Sequence, residues 1–323
     1  MLNKSQDEII ALWKSSDFPL VSIRCITYNH ASYIAQCLEG FLSQETNFPF
    51  EIVVHDDAST DDTANIVKKY ESEYPKIIKG IYETENQYSK HDDSIDRIMN
   101  AYMRGKYIAL CEGDDYWCYP HKLQEQVDFL ECNSDYSACT HNTLLLNMKK
   151  NKELVRYSTE DADLGLEDIL ERNGWHTSSL VCKSDFLINR PSFCFAQKDV
   201  GDFPLSVYLG IRGKIKRFGK VMSVYRFCVP GSWQSRIGQN RMKCMDNYSG
   251  QIKMLNMAND YSEGKYEKLF KNAIKRVSYK KLKLLRDVEK MRSAEFREFW
   301  NKEPMLKKIY YGLRNFLDKT STK

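Results

Sequence analysis

The sequence contains no long uninterrupted hydrophobic run. No stretch approaches the roughly 18 apolar residues that a membrane-spanning helix requires, and Met1 to Glu8 is too polar for a secretory signal. Internal repeats and low-complexity tracts are missing as well. We therefore expect a cytoplasmic globular protein, whose 323 residues are enough for one large core with an extension.

The sequence also lacks the cysteine and histidine patterns of metal sites. The ten cysteines include no Cys-x-x-Cys pair, and there are only six histidines, which argues against a zinc site. Several cysteines lie in predicted strands or on apolar helix faces, so we expect reduced, mostly buried thiols. Five histidines show no ligand spacing and are interpreted as surface or hydrogen-bonded structural residues: His30, His55, His121, His141 and His176.

The net charge of +4 hides an uneven distribution. Residues 261–323 hold 18 Lys and Arg against 8 Asp and Glu, a net charge of +10. The first 260 residues hold 30 against 36, a net charge of −6. A mildly acidic body with a basic tail argues against a nucleic-acid partner and favours a local interaction made by the tail.

Strands and helices are predicted to alternate in the first part of the chain. The predicted strands are Leu20 to Ile26, Phe50 to His55, Ile77 to Tyr82 and Tyr107 to Cys111. This alternation predicts an α/β fold with a mainly parallel sheet flanked by helices. It also brings the carboxyl ends of strands one, two and four to one edge, where ligands of open α/β sheets bind.

The next part of the chain is predicted to be less regular. Residues 149–164 are polar and predict a loop, Thr177 to Cys182 predicts a strand, and Asp202 to Ile211 predicts a helix. Lys214 to Phe218 and Val221 to Phe227 then predict two short strands.

Adjacent carboxylates follow two of the predicted strands. Asp56 and Asp57 end strand two, and Asp114 and Asp115 come just after strand four. Such acids either cap the following turn or hold a cation, and taken alone the residues favour the two interpretations equally. Two acidic pairs at one edge would repel each other strongly unless a cation or hydrogen-bond donors intervene.

Four groups of residues resemble the motifs of the inverting glycosyltransferases of family 2, which have the GT-A fold. They are Val21-Ser22-Ile23 with Thr27-Tyr28-Asn29, His55 to Asp61 with Thr63, Gly105 to Ile108 leading to Glu112-Gly113-Asp114-Asp115, and Gly201-Asp202 with Pro204-Leu205, followed by Tyr225-Arg226 and Gly231-Ser232-Trp233. The resemblance covers about residues 19–235. It implies a GT-A domain over residues 1–238, with a nucleotide-binding half at about 19–147 and an acceptor half at about 164–238, and a basic helical extension over 239–323.

The resemblance implies a nucleotide-sugar donor, with a UDP-sugar favoured, and Mn²⁺ or Mg²⁺ as cofactor. Hard cations of this kind take oxygen ligands, and the motif makes Asp115 the main metal ligand with Asp114 beside it. Asp57 corresponds to the carboxylate that accepts a hydrogen bond from the nucleobase. Tyr28 is expected near that base, flanked by Thr27 and Asn29 in the donor-binding set.

Three more residues are expected to contact the donor. Lys90 and Arg226 would approach the diphosphate, and Trp233 would stack on the sugar, although core packing is an alternative for Trp233. Members of the family often have a histidine shortly after the Tyr-Arg pair, where this chain has Cys228. A third metal ligand is therefore not identified.

Asp202 is the candidate catalytic base. A carboxylate must take the proton of the acceptor hydroxyl as it attacks, and the outcome is inversion at the anomeric carbon. The alternative is that Asp202 only caps the helix that Pro204 begins. Its position relative to the two earlier motifs favours the base.

The predicted function is a metal-dependent inverting transfer of a hexosyl or N-acetylhexosaminyl group to a glycan or lipid-linked glycan of a surface polysaccharide. One alternative is a sugar nucleotidyltransferase, which normally has a Gly-rich basic loop after strand one, where this chain has Thr27-Tyr28-Asn29-His30. Another alternative is a non-catalytic glycan- or nucleotide-binding protein.

The basic tail, in which every segment from Asn240 onward predicts helix, admits two interpretations. Its charges either solvate ordinary helices or attract an anionic membrane surface. Lys307 to Leu317 mixes Lys and Arg with aromatic and aliphatic residues, as interfacial helices do. In the second case the protein would sit peripherally on the inner face of the cell membrane.

Overall fold

A computed structural model describes residues 4–15, 18–172, 174–197, 200–229 and 241–320, the side chains of 312 and 314–320 excepted. The chain divides into two compact units. The first unit comprises Met1–Pro191 and Leu205–Pro230, and the second comprises Ser192–Pro204 and Gly231–Lys323. Ser192–Pro204, which the sequence analysis assigned to the acceptor half, thus groups with the C-terminal helices.

The strands all lie in the first unit. They are β1 Val21–Thr27, β2 Phe50–Asp56, β3 Ile78–Tyr82, β4 Tyr107–Leu110, β5 Tyr116–Trp117, β6 Tyr136–Asn147, β7 Lys152–Val155, β8 Ala162–Leu164, β9 Val181–Lys183 and β10 Lys214–Phe227.

Helices flank the sheet and continue to the end of the described chain. They are α1 Gln6–Ile10, α2 Ile34–Leu42, α3 Thr63–Glu73, α4 Ser94–Asn100, α5 Lys122–Cys132, α6 Leu166–Arg172, α7 Ser184–Ile188, α8 Asp202–Arg212, α9 Arg241–Tyr261, α10 Glu267–Leu285, α11 Val288–Arg292, α12 Arg297–Lys302 and α13 Met305–Thr320. Within the described ranges, no helix combines the length and hydropathy that crossing a bilayer requires.

One sheet joins all ten strands. Its main path runs β3-β2-β1-β4-β9-β6-β10-β5, with β7 added to β6 and β8 added to β10. The first four strands of the path pair in parallel, as the strand–helix alternation predicted. From β9 onward antiparallel pairs enter, although β6 and β10 are parallel neighbours. The predicted α/β fold, a sheet flanked by helices, is confirmed.

Two predictions about the middle of the chain were wrong. The polar stretch 149–164 contains β7 and β8, and β7 is exposed along its whole length, which explains why it has no apolar alternation. Residues 177–182 begin with a 3₁₀ turn, Thr177–Ser179, before β9. There the Ser179 hydroxyl donates to the carbonyl of His176 at 2.6 Å, a local bond that competes with strand pairing.

A third correction concerns β10, which is one strand where two were predicted. Its pairing with β6 shifts register between Phe218 and Val221. Gly219 lies within this irregularity, and a Cβ there would come within 2.0 Å of the carbonyl oxygen of Thr159. Gly219 and Lys220, which separate the two predicted strands, therefore form a bulge within one continuous strand.

The core of the first unit forms where α2, α3 and α5 cover the sheet. The five apolar residues that form one face of α2 are all buried: Ile34, Cys37, Leu38, Phe41 and Leu42. Trp117 is also buried, its ring centroid 4.7 Å from that of Phe41 and its indole N–H donating to the carbonyl of Ser178 at 2.8 Å. Together these contacts hold the chain that follows β4 against the helix that follows β1.

The second unit has its own core. Helices α9 and α10 pack together through buried Met254, Leu255, Phe270 and Ala273. A separate cluster joins α10 to the last helices through Tyr279, Leu282, Met291 and Phe296.

The side chain of Lys122 is buried in the core of the first unit. Lys122 is fully inaccessible to solvent, its Nζ donates to Oε1 of Gln126 at 2.7 Å and lies 3.9 Å from the centroid of the Trp117 ring. Burial lowers the pKa of Lys122 from an ordinary value of 10.5 to about 7. Below pH 7 both folded and unfolded chains carry this charge; between pH 7 and 10.5 only the unfolded chain does.

We therefore predict that Lys122→Met stabilises the protein relative to wild type at pH 7 and that this advantage shrinks as the pH rises. Between pH 7 and 10.5 the unfolded wild-type chain binds one more proton than the folded one. The free energy of unfolding of the wild-type protein therefore rises by up to about 1.4 kcal/mol per pH unit, whereas that of Lys122→Met gains nothing from this site. Urea unfolding of both proteins at pH 7 and pH 9 measures the difference. Lys149→Met, at an exposed lysine, is the control, and a Lys122→Met advantage that is independent of pH would contradict the prediction.

Candidate active site

The carboxyl ends of β1, β2 and β4 meet at one edge of the sheet. Thr27 pairs with Asp56 in the parallel register of β1 and β2. The chain beyond β4 keeps to β1, since the N–H of Gly113 donates to the carbonyl of Ile26 at 2.9 Å. A Cβ on Gly113 would lie 2.6 Å from Oγ1 of Thr27, so only glycine allows this approach. The predicted meeting of three strand ends is thus observed.

Asp114 and Asp115 follow this glycine. The Asp115 side chain is only 2% exposed, whereas that of Asp114 is 13% exposed. Burial and the neighbouring charge of Asp114 raise the pKa of the Asp115 carboxyl well above its usual range. The pair is therefore a desolvated acidic site in which a positive charge would be stabilising.

Arg226 on β10 is the residue that holds Asp115 in place. Its main-chain N–H donates to Oδ1 of Asp115 at 2.9 Å. Its guanidinium donates to the carbonyl of Asp114 and to Oε1 of Gln36, and it lies 4.6 Å from the centroid of the Tyr116 ring. With 5% exposure, Arg226 supports the acidic pair from within the protein.

Two histidines that the sequence analysis regarded as ordinary residues lie against the acidic pair. Nε2 of His30 is 3.9 Å from Oδ2 of Asp114, and Nδ1 of His176 is 3.9 Å from Oδ2 of Asp115. Burial and the charge of Arg156 lower the pKa of His176 to about 3, so its ring is neutral at physiological pH. His30 directly follows the Thr-Tyr-Asn motif, which is a signal that could have found it; His176 has no such signal.

The His176 ring is held in a defined orientation. Its centroid is 4.1 Å from that of Tyr225, the neighbour of Arg226 on β10. The main-chain N–H of Ser178 donates to Nδ1 at 3.3 Å, which leaves the Nε2 nitrogen to carry the ring proton. The nitrogen nearest Asp115 is therefore the proton-free Nδ1 of a neutral ring.

The loop after β1 is attached to the loop after β2. Asn29 adopts a left-handed conformation with φ 56°, and its Oδ1 accepts the N–H of Thr60 at 2.7 Å. Tyr28, in contrast, is 43% exposed and available to a ligand. Asn29 thus shapes the site, and Tyr28 presents a free aromatic surface at its edge.

Asp57 is buried and already hydrogen bonded. Its two oxygens accept the main-chain N–H groups of Gln87 and Tyr88 at 2.6 and 3.0 Å. These bonds fold the loop that follows β3 back toward the end of β2. Asp57 therefore has a structural role in this loop, whatever else it binds.

The other candidate residues have different surroundings. Nζ of Lys90 lies 3.3 Å from Glu85 on the surface of the same loop. Asp202 begins α8, a helix whose residues through Pro204 fall in the second unit and whose remainder falls in the first, and its Oδ1 accepts the N–H of Phe203 at 2.7 Å. Trp233 lies outside the described residues. The roles of Lys90, Asp202 and Trp233 stay predictions.

Comparison with known proteins identifies this region. Residues 22–178 match the model of "Glycosyl transferase family 2". This part of the chain is a family 2 glycosyltransferase domain. The match contains both strand-end acidic motifs, Thr27 to Asn29 and His176, whereas Arg226 on β10 and the candidate Asp202 lie beyond it.

Several curated proteins are similar to this chain. An uncharacterized protein of Mycobacterium tuberculosis is 35% identical over 227 residues, which cover 68% of this chain and 62% of that protein. The putative glycosyltransferase EpsE of Bacillus subtilis is 36% identical over 118 residues, 36% of this chain and 41% of that protein. The glucosyltransferase WfaP of Escherichia coli, which by name takes UDP-Glc and a GlcNAc-diphosphoundecaprenol, is 36% identical over 112 residues, 35% of this chain and 41% of that protein. The chain thus spans about three fifths or less of these relatives.

Among solved structures, S. aureus TarS 1–349 in complex with UDP-GlcNAc superposes with a TM-score of 0.55. The match covers 90% of this chain and 88% of TarS 1–349 at 16% sequence identity. At that identity the likeness concerns the fold alone, and the fold is GT-A.

The acidic pair of the family 2 domain fits a divalent cation. Asp114 and Asp115 offer carboxylate oxygens, and the raised pKa of Asp115 reflects negative charge that a cation would compensate. No cluster of three His, Cys, Asp or Glu ligands occurs among the described residues. The pair would therefore bind a cation together with ligands from outside the protein, such as phosphate oxygens and water.

We predict that Gly113→Ala lowers the free energy of unfolding by about 1–3 kcal/mol, because the new methyl group overlaps Thr27. It should also separate Asp114 from the end of β1. Chemical unfolding measures the first effect. Gly165→Ala is the matched control, because a Cβ there meets its nearest atom at an ordinary 3.7 Å. Equal stability of the two variants would contradict the close approach of the strand ends.

Proposed function

We propose that this protein is an inverting glycosyltransferase that moves a sugar from a UDP-sugar to a hydroxyl group of a surface polysaccharide intermediate. The observation that carries the proposal is the desolvated pair Asp114 and Asp115, which lies beside the end of β1 in a family 2 domain. A leaving nucleoside diphosphate is strongly anionic, so a site that binds it through a cation requires carboxylates of this kind.

Asp114 and Asp115 are proposed to hold Mn²⁺ or Mg²⁺, with Asp115 as the main ligand. When bound, the ion would stabilise the negative charge that develops on the leaving diphosphate. Arg226 keeps Asp115 in a fixed position through its main-chain N–H, and the neutral His176 ring lies beside Asp115 without adding charge. These contacts restrict the orientation of the carboxylates in the absence of a bound donor.

The nucleotide is proposed to bind between the loops after β1 and β2. Tyr28 offers an exposed ring for the base, and Asp57 can accept a base N–H because each of its oxygens has one further lone pair. A UDP-sugar is favoured as the donor. TarS, which shares the fold, and WfaP, which shares sequence, are both named with UDP-sugars.

Asp202 is proposed as the general base. Its carboxylate would accept the proton of the acceptor hydroxyl as that oxygen attacks the anomeric carbon from the face opposite the diphosphate. The new glycosidic bond forms as the bond to the diphosphate breaks, so the configuration inverts.

The acceptor is proposed to be a glycan or a lipid-linked glycan, used at the cytoplasmic face of a membrane. WfaP is named with GlcNAc-diphosphoundecaprenol, a lipid-linked sugar, and the B. subtilis relative TuaG is named as a putative teichuronic acid biosynthesis glycosyltransferase. Exposed apolar residues on the basic helix α13 support a peripheral membrane position.

The first prediction of this proposal concerns the donor. A panel of nucleotide sugars should include one that raises the melting temperature only when Mn²⁺ is present, and Asp115→Asn should abolish this increase. The variant loses the charge that the cation needs but keeps an oxygen that can accept the N–H of Arg226. Asp135→Asn, at an acid whose side chain is 64% exposed, is the control. Stabilisation by no donor would instead favour a non-catalytic binding protein.

The second prediction separates binding from chemistry. Asp202→Asn should reduce transfer by at least about 10²-fold, the contribution of a general base, and should leave metal-dependent donor stabilisation intact. Asparagine retains an oxygen for the N–H of Phe203, so the start of α8 is preserved. Transfer is measured with the donor found in the thermal assay and a purified glycan acceptor. Loss of donor binding to the same extent as transfer would rule out the base assignment.

A further inference from the structure

Arg156 places a positive charge on the sheet beside the candidate active site. It follows β7 directly, and its main-chain N–H donates to the carbonyl of Thr143 at 3.0 Å, which extends the pairing of β7 with β6 by one residue. Its guanidinium lies 5.4 Å from the centroid of the Tyr157 ring and 5.7 Å from that of the Tyr225 ring on β10. Arg156 therefore reaches across β6 toward the strand that carries Arg226.

The charge of Arg156 is exposed and has no counterion. Within the part of the chain that the structure describes, its guanidinium forms no hydrogen bond and has no carboxylate within salt-bridge distance. Arg24 and Arg104, in contrast, pair with acidic side chains at 2.8 and 2.6 Å. The contacts of an arginine with aromatic rings use the face of the guanidinium, so the N–H groups at its edge stay available to a ligand.

Two aromatic rings connect Arg156 to the acidic pair. The Tyr225 ring, which Arg156 contacts, lies 4.1 Å from the ring of His176, and Nδ1 of His176 is 3.9 Å from Oδ2 of Asp115. After burial, the positive charge of Arg156 is the second cause of the lowered pKa of His176. Arg156 thus belongs to the surroundings of the candidate active site.

The order of the strands puts Arg156 on the acceptor side of this site. The nucleotide is proposed to bind at the ends of β1 and β2, on one side of the acidic pair that follows β4. In the order β2-β1-β4-β9-β6, with β7 added to β6, Arg156 lies on the other side of that pair. The donor diphosphate would be bound at the pair itself, so an anionic group at Arg156 belongs to the second substrate.

The surroundings of Arg156 favour a phosphate that is attached to a hydrocarbon chain. A guanidinium binds phosphate oxygens through two parallel N–H bonds. Side chains alternate along a strand, so Leu154 shares the face of Arg156, and Leu154 is 64% exposed. A lipid phosphate would contact both residues, whereas the carboxylate of an acidic sugar would use Arg156 alone.

We propose that Arg156 is a specificity residue for the acceptor and that its guanidinium binds the phosphate through which the acceptor sugar is attached to a lipid. This role rests on the proposed function, since a lipid-linked acceptor supplies the phosphate. Binding of a lipid phosphate requires neither a donor nor sugar transfer, so the role of Arg156 can fail separately from the proposed function.

The test is the dissociation constant of geranyl phosphate, measured by calorimetry with the full-length protein in EDTA, which prevents binding through a cation at the acidic pair. Geraniol has the same hydrocarbon without the phosphate and is the matched ligand; it should bind more weakly. Arg156→Gln should weaken geranyl phosphate by about tenfold, the effect of losing a hydrogen bond to a charged group, and leave geraniol unchanged. Arg156→Lys should recover only part of this loss, because lysine lacks the two parallel donors.

The control variant is Lys152→Gln, which removes an exposed lysine from β7. If general attraction between positive charges and an anion explained binding, Lys152→Gln and Arg156→Gln would weaken it equally, and Arg156→Lys would bind like wild type. Either result would overturn the proposal. Arg156→Gln should keep the Mn²⁺-dependent stabilisation by the donor, and loss of that stabilisation would contradict the acceptor side of the assignment.

Inorganic phosphate and glucuronic acid test the lipid part of the proposal. Leu154→Asn should weaken geranyl phosphate by about fivefold through lost apolar contact and leave inorganic phosphate unchanged. If inorganic phosphate or glucuronic acid bound wild type as tightly as geranyl phosphate, and lost affinity equally in Arg156→Gln, the lipid assignment would be wrong. Binding of geranyl phosphate as expected, without stabilisation by any nucleotide sugar, would instead contradict the proposed glycosyltransferase.

Discussion

Asp115 is buried at the end of a strand, next to a second carboxylate, and the surrounding structure is arranged around this unfavourable position. Its Oδ1 accepts the N–H of Arg226 at 2.9 Å, and the Arg226 guanidinium is fixed in turn by the carbonyl of Asp114 and by Gln36. Removing a carboxylate from water without such partners costs several kcal/mol. The protein therefore keeps a strained electrostatic site that a divalent cation and an anionic donor can relieve.

The mixed sheet is what makes this arrangement possible. The parallel strands β1, β2 and β4 bring the acidic ends together, as in other open α/β sheets. The long strand β10 then returns from the other side and carries Arg226 to the acidic pair, and His176, just before the 3₁₀ turn that precedes β9, lies 3.9 Å from Asp115. The parallel strands thus position the carboxylates, and β10 supplies the main-chain N–H group that binds Asp115.

The second unit shows the opposite electrostatic situation. Residues 261–323 carry a net charge of +10, and an exposed apolar side of α13 begins at Met305. The proposed binding of an anionic donor by the body and the proposed binding of an anionic surface by the tail would be complementary properties for an enzyme with a lipid-linked acceptor. The two proposed binding functions would account for the negative net charge of the body and the positive net charge of the tail.

The sequence by itself determined the features that depend on neighbouring residues. The apolar runs before Asp56 and Asp114 predicted the parallel strands, because the pattern of a strand is local. The three strand-end motifs were recognisable for the same reason. The polar β7 and the local hydrogen bonds of Thr177–Ser179 escaped prediction, since exposure and side-chain bonding mask a strand pattern or replace it.

Only the tertiary structure decided which distant residues meet. Arg226 and Asp115 are 111 residues apart, and their hydrogen bond exists because β10 returns beside the end of β4. His176 reaches Asp115 because a 3₁₀ turn precedes β9. Burial, and with it the pKa of Asp115 and of Lys122, is a property of the folded chain, since the same side chains are fully hydrated in the unfolded one.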